Sequence, residues 1–108
     1  MQDYKIGIIG TEEAVAGFMA LGVTCFPITE DNEIQEIINK IKNDNFAAIF
    51  ITEDWAIRVR NKIDEAFRDA ALPAVVTVPS PGGATKAGLE NLKKIVEQAV
   101  GSDILFNK

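Results

Sequence analysis

Acidic side chains gather where this 108-residue sequence passes from apolar runs into polar ones. Glu12 and Glu13 follow "KIGIIG", Glu30, Asp31 and Glu33 follow "VTCFPI", and Glu53 and Asp54 follow "FAAIFIT". Converging carboxylates are the donor type for a hard cation such as Mg²⁺. Glycines are the other chemical candidates, because a glycine-rich turn ahead of a helix can cradle a phosphate. Gly7, Gly10 and Gly17 do not match the G-x-G-x-x-G dinucleotide fingerprint, and no G-x-x-x-x-G-K-[ST] occurs. The segment "SPGGATK", Ser80 to Lys86, offers two glycines with nearby hydroxyl and amine donors, but that signal is weak and the segment reads rather as a structural or flexible connector. There is no histidine, and Cys25 is the only cysteine. A Ser-His-Asp or Cys-His nucleophile therefore cannot be assembled from this chain.

The elements that must position these groups follow from hydrophobic spacing. Lys5–Gly10 reads as a strand buried on both faces. Glu12–Leu21 reads as a helix with Val15, Phe18, Met19 and Leu21 inward, stopped by Gly22. Gly7 is expected to allow close packing inside its strand, and Gly17 a close approach of helix to sheet. Val23–Ile28 is the second strand, and Pro27 places it at an edge. Asp31–Lys42 carries Ile34, Ile37, Ile38 and Ile41 at helical spacing. Phe46–Thr52 is the third strand. Asp54–Ala70 is the third helix, with Ile57, Ile63, Ala66 and Phe67 inward. Pro73–Val78 is the fourth strand, Pro79–Gly88 a loop, and Leu89–Val100 a last helix with Leu92, Ile95, Val96 and Ala99 inward.

Strands alternating with helices imply an α/β fold. The expectation is a four-stranded parallel sheet of order 2-1-3-4 with helices on both faces, a flavodoxin- or receiver-like three-layer sandwich. One domain over residues 1–100 is expected, with 101–108 as a tail. A chain this long buries roughly 65% of its unfolded surface, enough for a core. The composition is 47% hydrophobic and 25% charged, which suits a globular protein. No apolar run approaches the ~20 residues of a membrane span, so no direct membrane insertion is expected. The single cysteine and the lack of a recognisable leader point to the cytoplasm. A net charge of −5 argues against nucleic acid as a partner.

In open α/β sheets, ligands sit at the carboxyl ends of the strands. That edge is expected to be acidic here, while Lys40, Lys42 and Arg68 fall near helix C-termini. Acids in first helical turns also complement the helix dipole. On either account a phosphate there meets like charge, and no cofactor is expected. An alternative is a receiver-like signalling module that binds Mg²⁺ at the acidic edge and accepts phosphoryl at Asp54. Receivers, however, have five strands with a lysine after the fifth, and Lys86 lies in the wrong connection.

"KIGIIGTEEAVAGFMALGV", Lys5 to Val23, resembles the opening of the F subunit of the A/V-type rotary ATPases. "FAAIFITEDWA", "LPAVVTVPSP" and "VEQAVGSDIL" resemble that family's third strand, fourth strand and closing helix, in the same order. Met19 departs from the arginine often found after G-F in the family, and the loop before the last helix is less charged. The resemblance implies a non-catalytic central-stalk rotor component. Such a component binds the D subunit, the coiled-coil rotor shaft, and through it the catalytic head and the membrane rotor. It couples ATP hydrolysis or synthesis to H⁺ or Na⁺ transport, and it is cytoplasmic and peripheral to the membrane.

Ile104, Leu105 and Phe106 stand together after Gly101, where a terminus is usually polar. They either fold back on the core or, with Ile95 and Ala99 of the last helix, pack on the D subunit. Trp55, at the second position of a helix that starts at Asp54, is expected to be half exposed. It is either an interface anchor or a cover for the sheet. Arg58 with Lys62, and Lys93 with Glu97, are either a solvated face or partner contacts.

Overall fold

A computed structural model describes residues 4–79 and Lys94. Four strands form a fully parallel sheet in the order β2-β1-β3-β4. They are β1 (Lys5–Gly10), β2 (Thr24–Pro27), β3 (Phe46–Thr52) and β4 (Ala74–Val78). The helices are α1 (Glu12–Ala16), α2 (Ile34–Lys42) and α3 (Glu53–Phe67). Class, order and layering agree with the expectation. β2 lies at the edge, where the absent N–H of Pro27 leaves no ladder bond unmade.

The two faces of the sheet carry separate cores. Ile9, Ile49 and Ile51 pack under α2 and α3, against Ile34, Ile37, Ile38, Ile41, Val59 and Ile63. Ile6, Ile8 and Phe50 face the other way, against Val15 and Phe18 of the α1 segment. In β1, and in β3 after the irregularity that pairs Lys5 with Phe46 but Ile6 with Ala48, successive residues alternate between these cores, which is why both strands read as unbroken apolar runs. Each isoleucine so buried contributes about 1.5–3 kcal/mol. Gly7 admits this density: a Cβ there would stand 2.9 Å from both Ile49 Cδ1 and Phe26 Cε2.

The first helix departs from the expectation. α1 ends at Ala16, and Met19–Leu21 forms a separate 3-10 turn closed by Gly22 at φ 78°. The break at Gly17 re-aims the chain. Phe18 stays 1% exposed, while Met19 is 69% exposed rather than inward. Among the described residues nothing lies within 4 Å of the Cβ that Gly17 lacks, so none of them requires a glycine there for packing. The expected loop Pro79–Gly88 lies almost wholly outside the described residues. So does the expected helix Leu89–Val100, apart from Lys94, which is helical and exposed.

Candidate functional site

All four strands run the same way, so their carboxyl ends share one edge, and the expected acids are there. Each cluster is held by its own chain. Thr11 caps α1: its Oγ1 accepts from Ala14 N at 3.2 Å, and its carbonyl accepts from Val15 N at 3.0 Å. Those two amides are thus occupied, and Glu12 and Glu13 fill the rest of the first turn. Gly10 is closed off as well. A Cβ there would come within 3.1 Å of Thr52 Cγ2, so the glycine serves contact between β1 and β3 and opens no cradle.

At the second strand end, Glu33 folds back on the loop. Its Oε1 accepts from Thr29 N at 2.8 Å, Glu30 N at 2.8 Å and Thr29 Oγ1 at 3.0 Å. Two backbone amides and a hydroxyl hold its carboxyl below the usual carboxylate range. This capping box starts the 3-10 turn Asp31–Glu33 that leads into α2. Asp31 is paired with Arg58 of α3 at 2.6 Å. Among the described residues, no three His, Cys, Asp or Glu side chains come together as a metal-binding group. Thr11, Glu30 and Glu33 cap their turns, and the acids in the first turns of α1 and α3 complement the helix dipoles. The receiver-like reading also loses its geometry. β3 ends at Thr52 and α3 starts at once with Glu53, so Asp54 sits inside a helical turn rather than at the strand end.

Trp55 differs from the expectation. It is 4% exposed and packs with the α2–α3 core. α3 begins at Glu53, one residue earlier than expected, and Trp55 lies on the same inward stripe as Val59 and Ile63, four and eight residues on. The Arg58 guanidinium lies 4.2 Å from the ring and extends to Asp31. Arg58 is thus a brace between the β2–α2 turn and α3, and Trp55 offers no open face for a partner. Ile57 is the converse. At about 100° per residue it lies roughly 200° around the helix from Trp55, and it is 83% exposed, not part of the core.

Ile57 borders a shallow groove of about 410 Å³ between α3 and β4, with Glu53, Ala56, Arg60 and Thr77. Arg60 is fixed at the rim by Thr77 Oγ1 at 3.2 Å and Asp64 at 3.4 Å. At the opposite end of the sheet, Tyr4 and Leu72, both partly exposed, border a cleft of about 370 Å³ with Phe67 and Pro73. Neither surface was anticipated from the sequence. Ile57 was legible in principle, because Trp55, Val59 and Ile63 already form a complete inward stripe without it. Of the other expected contact residues, Ile95, Ala99, Ile104, Leu105 and Phe106 lie outside the described residues, as does the pair Lys93 and Glu97.

Comparison with known proteins gives consistent matches. A family model described as ATP synthase (F/14-kDa) subunit matches residues 6–96. The V-type ATP synthase F subunit of Clostridium perfringens is 39% identical over 101 residues, covering 94% of this chain and 95% of that protein. Its namesake from Fusobacterium nucleatum is 36% identical over 102 residues, covering 94% and 96%. The A-type ATP synthase F subunit of Methanothermobacter thermautotrophicus is 25% identical over 102 residues, again covering 94% and 96%. Among solved structures, the V-type ATP synthase F subunit of Archaeoglobus fulgidus matches with a TM-score of 0.54 at 20% identity. That match covers 71% of this chain and 99% of the other, and it shows the fold.

Proposed function

Because this chain belongs to the ATP synthase (F/14-kDa) subunit family, we propose that it is the non-catalytic central-stalk component of a V/A-type rotary ATPase. It binds the coiled-coil D subunit, turns with it inside the catalytic head, and couples ATP hydrolysis or synthesis to H⁺ or Na⁺ movement. The observation that carries this reading is the end-to-end match to F subunits, which spans 94% of the chain. The strand-end edge agrees with it. The turn that would hold a phosphate is capped by Thr11 and lined with Glu12 and Glu13. No helix among the described residues is long and apolar enough to cross a membrane. In this reading the chain meets the membrane through the complex, from the cytoplasmic side. Residues 1–100 form the domain, and residues 101–108 are a docking segment.

In this proposal Ile104, Leu105 and Phe106, with Ile95 and Ala99, supply the apolar contact to the D subunit. Apolar anchors of this kind carry most of an interface's energy. The test is binding of the full chain, and of a chain truncated after Gly101, to the purified D subunit by calorimetry. The full chain is expected to bind, and the truncation to weaken binding at least tenfold, or about 1.4 kcal/mol. Equal affinity of the two would remove the tail from the interface. Absence of binding by the full chain would defeat the stalk assignment itself.

A further inference from the structure

No further inference is drawn: the strongest candidate, the shallow groove between α3 and the edge strand β4 around the exposed Ile57, is an unpartnered apolar surface, and nothing among the described residues shows what covers it.

Discussion

Two glycine-to-alanine substitutions, Gly7→Ala and Gly17→Ala, are expected to move stability in opposite directions. Gly17 ends α1 at φ −68°, a backbone any residue adopts, with no described residue within 4 Å of where its Cβ would be. Alanine there narrows the unfolded ensemble without strain and should stabilise the chain by about 0.4–1 kcal/mol. Gly7 sits mid-strand with an alanine Cβ placed 2.9 Å from Ile49 Cδ1, 2.9 Å from Phe26 Cε2 and 3.2 Å from Phe46 Cε1. Carbon atoms pack best at about 3.5–4.0 Å, so all three must yield. The Ile49 methyl can rotate away. The Phe26 ring cannot move freely, because it is tilted onto Phe46 at a centroid distance of 5.7 Å. Overpacking of this kind costs about 1–3 kcal/mol.

Urea unfolding followed by Trp55 fluorescence measures both, since Trp55 is buried and is the only tryptophan. With a slope of about 1–3 kcal/mol per molar, each kcal/mol moves the midpoint by roughly 0.3–1 M. The midpoint should rise for Gly17→Ala and fall for Gly7→Ala. Two shifts of the same sign would refute the claim that one glycine serves packing and the other does not.

Further substitutions separate surface from core and test the strand-end edge. Ile57→Ser should change the stability of the isolated chain by less than about 0.5 kcal/mol, while Ile63→Ala on the same helix should cost about 2–5 kcal/mol. Comparable losses in urea titrations would show that Ile57 packs on something in the free chain. Among the described residues Thr52 Oγ1 is buried without a hydrogen-bond partner, so Thr52→Val should raise thermal stability, by about 1 kcal/mol or more. A lowered Tm would mean the hydroxyl is bonded in solution. Glu33 titrates below its ordinary value of 4.5, so its bonds to Thr29 and Glu30 stabilise the fold above that pH. The stability is lost as pH falls through the lower, folded-state pKa. Melting curves of the parent and Glu33→Gln should therefore differ at neutral pH and converge in acid, and a gap of unchanged size across the acid range would contradict the assignment.

Period and composition made the layered sheet readable. β1 and β3 are apolar on both faces, α2 has four isoleucines at helical spacing, and Pro27 marked the edge strand. The failures lie in the assignment of helix faces. In α3 the stripe of Trp55, Val59 and Ile63 faces the sheet, and Ile57, roughly 200° around the helix from Trp55, falls outside it. Extending α1 through Gly17 puts Met19 inside, whereas the break there leaves Phe18 as the anchor. The acids do lie at the strand ends, but a list of charges does not say what each one holds. Only the folded chain shows that Glu33 is spent on Thr29 and Glu30, and that Asp31 is spent on an arginine from another helix. Folding also gives Arg58 a role as a brace that its spacing from Lys62 does not suggest.

The parallel sheet also gives the described part of the chain an electrical axis. Among the described residues, Glu12, Glu13, Glu30, Asp31, Glu33, Glu53 and Asp54 lie toward one end of the strands, partly offset by Arg58, which pairs with Asp31. Lys5, Lys40, Lys42 and Arg68 lie toward the other, partly offset by Asp44 and Asp69. A body with separated charge rotates in the field of an approaching surface before the two touch. It meets a basic surface with its strand-carboxyl end leading, so orientation is selected during diffusion rather than by trial collisions. Salt shortens the reach of that torque to about 8 Å at physiological ionic strength.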